Sequence, residues 1–227
     1  TWATVADTVY SVNTTSSEET GAVTSTLTLT GPPVALSGCR YRALFTNWAY
    51  PAGIASNAAI LTVNRASASI AVNGWSGVYD GSDHGAVLVS ATGAGGEDLS
   101  ASVAIGSTTY KNVPGGSVSW SFSNPNYQSQ GGNVAVTITP AWAMITVEGW
   151  SGIYDNCTHT ANLVDADGIG GEDLTASVFI EPVYIKDVPG GWVSWSFTNP
   201  NYLPLNGSVP INITPAGATI VVNGWSG

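Results

Sequence analysis

The chain has 227 residues, of which only 9% are charged, and its formal net charge of -10 includes just five basic residues. Nucleic-acid binding needs clustered Lys and Arg to neutralise phosphates, so this composition argues against it, and docking on an anionic lipid surface is disfavoured for the same reason. No apolar run is long enough for a transmembrane helix, so we expect no membrane insertion in this segment.

Residues 1–64 predict a first β-rich segment. Apolar and polar residues alternate with period two at residues 25–30 and 41–47, and further strands are predicted at residues 57–63 and around residues 2–5. Short strands at this spacing are typical of a β-sandwich.

Several short strings carry a resemblance in this segment: Gly38-Cys39-Arg40-Tyr41-Arg42-Ala43, Thr46-Asn47, Ser56-Asn57-Ala58-Ala59 and Leu61-Thr62-Val63. Together they resemble the last two strands of a bacterial Ig-like domain. The resemblance implies that Trp2, on the third strand, and Tyr41 belong to the core of the sandwich. Such a domain has two strands before that tryptophan, whereas this chain has one residue there, so we expect a partial sandwich.

From residue 65 onward the sequence is a tandem array. The string Gly-Trp-Ser-Gly begins at Gly74, Gly149 and Gly224, each 75 residues after the last, and the third copy stops at Gly227. The first two copies align without a gap over long identical blocks. Arrays of this kind have mechanical or display roles more often than chemical ones.

Each copy opens with an alternating strand, and more strands follow in the first copy. The opening strands are predicted at residues 68–72, 143–147 and 218–222, and the later ones at 88–89, 101–105, 118–122 and 134–139. No segment has helical periodicity. The joining segments are too short for free hinging, so we predict an all-β protein of tandem small β-sandwich domains arranged end to end as a rod.

The predicted domain boundaries follow from the repeat. They are 1–64 for the partial Ig-like sandwich with its first strands missing, 65–140 and 141–215 for two full repeats, and 216–227 for the orphan first strand of a third repeat. The two cysteines, Cys39 and Cys157, fall in different predicted domains, so we expect no disulfide.

The full repeats share a second set of motifs. In the first copy these are Tyr79-Asp80-Gly81 with His84, Gly96-Glu97-Asp98-Leu99, the Pro114-Gly115-Gly116 turn, Asn126-Tyr127 and Ile138-Thr139-Pro140-Ala141. They resemble the MBG-type domain of bacterial surface proteins in its Tyr-Asp-Gly form. The second copy departs at Asn156, where the pattern has Gly, but Asn tolerates a positive φ and keeps the turn possible. The resemblance implies a tandem array on secreted or wall-bound proteins and implies no activity.

Two histidines, His84 and His159, each lie four residues after an aspartate, Asp80 or Asp155. Such a pair can serve as an acid and base in catalysis. It can equally belong to a structural turn in which the carboxylate accepts backbone N–H groups. A pair repeated in an array favours the structural interpretation.

A cluster of acidic residues, Asp165, Asp167, Glu172 and Asp173, forms a weak candidate for calcium binding, because Ca²⁺ binds several oxygen ligands. The first copy lacks the first two of these carboxylates, and the full spacing of an EF-hand loop is absent. A solvated acidic loop is the simpler interpretation, and we expect no metal and no cofactor.

The tryptophans fall into two groups. Trp75, Trp150 and Trp225 lie in the Gly-Trp-Ser-Gly string, which we predict to be a turn, and we expect them to seal a domain junction or contact a partner. Alternatively they are exposed aromatic platforms that stack on sugars. Trp120 and Trp195 lie in the middle of predicted strands and are expected in the core.

The last predicted strand carries Ala218, Ile220 and Val222 on one face. An unpaired edge strand is a liability, so it needs a partner. If residue 227 is a true end, this strand is a candidate for donation to the incomplete first sandwich of the next molecule, which would build a head-to-tail filament. Otherwise the chain is a segment of a longer stalk.

These observations predict a non-catalytic structural segment of an extracellular surface stalk or filament, at the cell surface or in the cell wall. Its expected partners are copies of itself or adjoining domains of the same long chain. The alternative is an adhesin or carbohydrate-binding module whose exposed tryptophans bind a cell-surface glycan.

Overall fold

The computed structural model describes residues 10–16 and 23–225. It confirms the prediction of an all-β protein, because the helical elements in these residues are 3₁₀ turns of three residues each. Within the same residues, no helix has the length and apolar character that crossing a bilayer requires. Trp2 lies outside the described residues.

The strands follow one another in three groups along the chain. Before the repeats come β1 (Tyr10–Ser16), β2 (Val23–Leu29), β3 (Arg40–Tyr41), β4 (Leu44–Phe45), β5 (Ile54–Ala55) and β6 (Ala59–Ile60). The first repeat contains β7 (Ser69–Asn73), β8 (Trp75–Val78), β9 (Val87–Thr92), β10 (Val103–Ile105), β11 (Gly115–Phe122) and β12 (Gln130–Thr139). The second contains β13 (Met144–Glu148), β14 (Trp150–Ile153), β15 (Asn162–Asp167), β16 (Val178–Ile180), β17 (Gly190–Phe197) and β18 (Leu205–Thr214). The 3₁₀ turns are Val34–Leu36, Ser100–Ser102, Ile169–Gly171 and Thr175–Ser177.

The described chain forms two compact units. The first comprises the described residues up to Val72, with Leu88–Ile105 and Trp120–Gly132. The second comprises Asn73–Val87, Gly106–Ser119 and the described residues from Asn133 onward.

The part of the first unit that precedes the repeats consists of three antiparallel strand pairs: β1 with β2, β3 with β6, and β4 with β5. The strand predicted at residues 41–47 is interrupted, because the Ala43 N–H donates to the Ser56 hydroxyl (3.0 Å) instead of continuing a ladder. None of residues 23–64 is buried. Tyr41, expected in a sandwich core, is therefore only partly buried.

The core of the first unit comes from the first repeat. Ala91, Leu99, Phe122 and Tyr127 are buried together, and the apolar face of β7 packs against them. β10 pairs with β11 so that Val103 lies opposite Phe122. The alternation in β11 places every second side chain inside, which is the expected consequence of the two-residue period of a strand.

In the second unit, the second repeat forms two sheets. One has the strand order β14-β18-β17-β16, and the other pairs β13 with β15. Val193, Ile211, Ile213 and Ala161 form the core, and Trp150 packs against it. The core residues alternate with exposed serines and asparagines along β17 and β18, as the sequence pattern predicts for strands buried on one face.

In its first two copies the Gly-Trp-Ser-Gly string is not a turn, which corrects the sequence-based expectation. Gly149 is the single residue between β13 and β14, and the tryptophan opens β14, which runs parallel to β18 with Trp150 opposite Ile211. A Cβ on Gly149 would lie 1.9 Å from the Pro210 carbonyl oxygen. Glycine is needed here because the chain passes against a neighbouring backbone as it leaves one sheet for the other.

Candidate functional site: the contacts between successive segments

In the first two Gly-Trp-Ser-Gly strings, the tryptophan lies flat on a histidine of its own repeat. The Trp75 and His84 rings are 3.4 Å apart at 11°, and those of Trp150 and His159 are 3.4 Å apart at 13°. The sequence separated these residues by nine positions and gave no sign that they meet. The stack attaches the segment after the Tyr-Asp pair to the start of the parallel strand.

The histidines also bind the aspartates that precede them. His84 Nε2 lies 2.9 Å from Asp80 Oδ1, and the Ser82 N–H donates to the same oxygen at 2.8 Å. These two hydrogen bonds, the side-chain one first, hold the pKa of Asp80 below its usual value. The carboxylate accepts a backbone N–H two residues on, so the predicted Asx-type turn is confirmed.

The second repeat reproduces this turn. The Cys157 N–H donates to Asp155 Oδ1 at 2.8 Å, and His159 Nε2 lies 3.0 Å from the same oxygen. The backbone hydrogen bond from Cys157, followed by that from His159, lowers the pKa of Asp155. Asn156 lies inside this turn with a φ of 65°, as its sequence position predicts.

A buried tyrosine and a glutamate form a second pair in each repeat. The Tyr202 hydroxyl donates to Glu172 Oε2 at 2.6 Å and accepts the Ile169 N–H at 2.8 Å. Burial, followed by the hydrogen bond to Glu172, raises the pKa of Tyr202 to about 12. In the first repeat, Tyr127 donates to Glu97 in the same way. The pair fixes the Gly-Gly-Glu-Asp-Leu loop onto the core.

Tyr79 of the first repeat packs on this pair in the second. Its ring meets the Tyr202 ring edge-on, with centroids 5.4 Å apart, and its hydroxyl lies 3.5 Å from Glu172 Oε2. Tyr79 is only 6% exposed. Burial, and then the charge of Glu172, raise its pKa. The tyrosine of one Tyr-Asp pair is thus inserted against the Glu and Tyr of the following repeat.

Asn201 completes the contact between the two repeats, and both ends of its side-chain amide are used. Its Oδ1 accepts the Val113 N–H at 3.0 Å, and its Nδ2 donates to Asn112 Oδ1 at 3.0 Å. Asn201 also binds the segment that leads into the second repeat, since the Ala141 N–H donates to the Asn201 carbonyl at 2.9 Å. The Asn-Pro-Asn-Tyr motif therefore joins the second repeat to the first.

The first unit contains a matching contact one repeat earlier. Asn126 Oδ1 accepts the Val34 N–H at 2.9 Å, although Val34 belongs to the segment before the repeats. The Ala66 N–H donates to the Asn126 carbonyl at 3.0 Å, and the Gln128 N–H donates to the Ala66 carbonyl at 2.8 Å. The same asparagine, 75 residues apart, thus accepts a backbone N–H from the segment that precedes its own repeat.

The four calcium candidates are not gathered into one ligand group, although Asp167 and Asp173 are paired in an isolated bridge. Glu172 is engaged by Tyr202, and Asp173 Oδ1 accepts the Thr175 N–H at 2.9 Å. Asp165 and Asp167 lie on β15, paired with Thr146 and Met144. Among residues 10–16 and 23–225, no three His, Cys, Asp or Glu side chains are grouped as metal ligands.

The remaining sequence candidates lie apart from this contact. Trp225 is 94% exposed, and Ile220 and Val222 are exposed with Ala218 on a segment that forms no ladder with the other described residues. Trp120 and Trp195 are mid-strand as expected, but only partly buried. Both cysteines are free.

Comparison with known protein families and with curated proteins yields no match to this chain. The resemblances to MBG-type and Ig-like domains therefore remain predictions from the quoted motifs.

Proposed function

We propose that this chain is a non-catalytic structural segment of an extracellular surface stalk or filament, in which each domain is fastened to the one before it. The observation that carries the proposal is the repeated asparagine contact, Asn126 to Val34 and Asn201 to Val113. Domains joined by a flexible linker move freely by default, so we expect a domain that binds both the backbone and a loop of its predecessor to hinge less, which suits an array under mechanical tension.

The contact between the repeats also uses groups that water cannot easily replace. Tyr79 and Tyr202 are buried at this contact, and a buried hydroxyl left without its partner costs about 1–3 kcal/mol. Separating the repeats would expose both rings and break the hydrogen bonds of Asn201. We therefore expect the two repeats to unfold as one cooperative block.

The experiment is to replace Asn201 with alanine. We expect the single unfolding transition of the two repeats to divide into two, because the substitution removes the hydrogen bonds to Val113 and Asn112. Differential scanning calorimetry of the whole chain measures this. Asn206→Ala is the matched control, since Asn206 is exposed on β18. Unchanged cooperativity in Asn201→Ala would contradict the proposal.

A second candidate function, glycan binding, is favoured by an aromatic face peculiar to the second repeat. Phe179 and Trp192 are 61% and 65% exposed, and the strand register places both on the face that carries the serines of β17. Phe179 also lines an open depression with Glu181 and Pro182. The first repeat has Ala104 and Ser117 at the positions of the two aromatics.

Exposed aromatic rings beside hydroxyl groups are the chemistry by which proteins stack on neutral sugars. Tryptophan fluorescence titrations against a panel of neutral glycans test this function. Binding that is lost in Trp192→Ser, which restores the residue of the first repeat, would support it. An unchanged spectrum across the panel would count against it.

A further inference from the structure

The second repeat carries the same surface that the first repeat uses to hold its neighbour. In the first repeat this surface consists of Tyr79, Asn112 and Val113. The corresponding residues, 75 positions later, are Tyr154, Asp187 and Val188. We call these last three residues, with Asn156, the distal surface.

The distal surface is more open than its counterpart. Tyr79 is buried and Val113 is partly buried, whereas Tyr154 is partly buried and Val188 is exposed. Asp187 offers carboxylate oxygens where Asn112 offers an amide oxygen to Asn201. A carboxylate accepts a hydrogen bond from an amide N–H more strongly than a neutral oxygen does.

One difference between the repeats gives the distal surface a feature of its own. The Tyr154 hydroxyl donates to Asn156 Oδ1 at 3.0 Å, whereas Tyr79 faces Glu172 of the next repeat. The first repeat has Gly81 at the position of Asn156 and so offers no such acceptor. Asn156 thus supplies Tyr154 with the acceptor that, in the first repeat, the neighbouring domain supplies.

We propose that the distal surface docks a further domain of the same repeat type, and that Asn156 satisfies the Tyr154 hydroxyl until that domain's glutamate replaces it. The occupant is defined by chemistry: a domain that presents a Gly-Gly-Glu-Asp-Leu glutamate and an Asn-Pro-Asn-Tyr motif. The first repeat of a second copy is not the expected occupant, because its Asn126 already binds Val34. This proposal rests on the proposed function, since it assigns the next position in the same array.

Asn156 then tunes the strength of docking. The next domain can bind the Tyr154 hydroxyl only when the Tyr154–Asn156 hydrogen bond is broken. Docking at Tyr154 therefore yields less favourable free energy than the corresponding contact at Tyr79. Replacing Asn156 with glycine removes the competing acceptor and should strengthen docking. Placing asparagine at Gly81 should weaken the existing contact. A Cβ there would meet no atom within 4 Å, and asparagine tolerates the φ of 75° found at Gly81, as Asn156 does at 65° in the second repeat.

The test extends the full chain by a copy of residues 153–215 after Gly227, which completes the third repeat. The readout is the hydrogen-exchange rate of the Val188 amide measured by NMR, because the corresponding amide of the first repeat, that of Val113, donates to Asn201. We expect the added repeat to slow exchange about tenfold, the effect of one net hydrogen bond. Asn156→Gly should increase this protection, and alanine at the copy of Asn201 should abolish it.

A folded third repeat that leaves Val188 exchange unchanged would overturn the proposal, while the Asn201→Ala calorimetry tests the proposed function separately. The reciprocal variant needs no added repeat. Gly81→Asn in the original chain should speed exchange of the Val113 amide several-fold, about what a weakened hydrogen bond produces. An unchanged exchange rate of the Val113 amide in Gly81→Asn would overturn the role assigned to Asn156.

Discussion

At the scale of single residues, the contact between repeats depends mainly on uncharged side chains. Tyr79, Tyr202 and Asn201 are neutral, and Glu172 is the one carboxylate among them. A chain with 9% charged residues has few ion pairs available, and exposed ion pairs contribute little in any case. Buried hydroxyl and amide groups with fixed partners give the contact its specificity instead.

Alkaline pH should destabilise the second unit through Tyr202. Its pKa is about 12 in the folded protein, above the usual value of 10.0, so the unfolded chain loses the proton first. Stability is therefore fully present below about pH 10 and is lost as the pH rises towards about 12. Urea unfolding at stepped pH measures this, and Tyr202→Phe should show a shallower loss in that window. An equal loss in both proteins would contradict the assignment.

At the scale of elements, the parallel strands β8 and β14 depend on the glycine in front of each. Gly74 and Gly149 let the backbone pass close to β12 and β18, where side-chain atoms have no room. The tryptophan that follows then stacks on histidine, and the strand continues to the Tyr-Asp pair. In the first two repeats, the Gly-Trp-Ser-Gly string therefore carries the chain from one sheet to the other within its own repeat.

Replacing Gly74 with alanine should lower the free energy of unfolding of the second unit by about 3 kcal/mol, the upper range for overpacking. The new Cβ would lie 1.8 Å from the Ala135 carbonyl oxygen, so the backbone has to move. Chemical denaturation measures the change. Gly85→Ala is the control, because its Cβ would make only ordinary contacts, the nearest at 3.5 Å. Equal stability of the two variants would contradict this account of Gly74.

At the scale of the whole molecule, buried cores occur in the repeats, whereas residues 23–64 and 215–225 contain no buried residue. Among residues 23–225, the buried hydrophobic residues begin at Tyr79 and end at Ile213. The last described segment presents Ile220 and Val222, 82% and 86% exposed. The stability of the chain is thus expected to come from the repeats.

Deleting residues 216–227 should therefore change the free energy of unfolding by less than about 0.5 kcal/mol, because exposed residues contribute little to stability. The same deletion should abolish filaments if they form by donation of the last strand. Chemical denaturation and electron microscopy of the two chains measure the two effects. A large loss of stability would show that this segment is paired in solution, and filaments that persist would exclude strand donation.

The sequence located much of the candidate site without assigning it a role. Repetition marked Glu172, Asn201 and Tyr202 as shared positions, yet nothing local indicated that they meet Tyr79 or Asn112. Hydrogen bonds between residues about 90 positions apart leave no periodic signal in a sequence. The sequence indicates a turn tryptophan at Trp75 and a structural Asp-His turn at His84, but it gives no indication of the stack, because stacking between them depends on how the intervening turn folds.

The sequence by itself determined the all-β class, the 75-residue period, the positions of most repeat strands and the Asx-type turns, because alternation, glycine spacing and local side-chain acceptors act over a few residues. Only the tertiary structure decided that the first two Gly-Trp-Ser-Gly strings each start a parallel strand, that the glutamate of the acidic loop binds a tyrosine, and that one asparagine in each repeat binds the segment before it. Each of these depends on which distant strands lie side by side, and burial and packing in three dimensions set that choice.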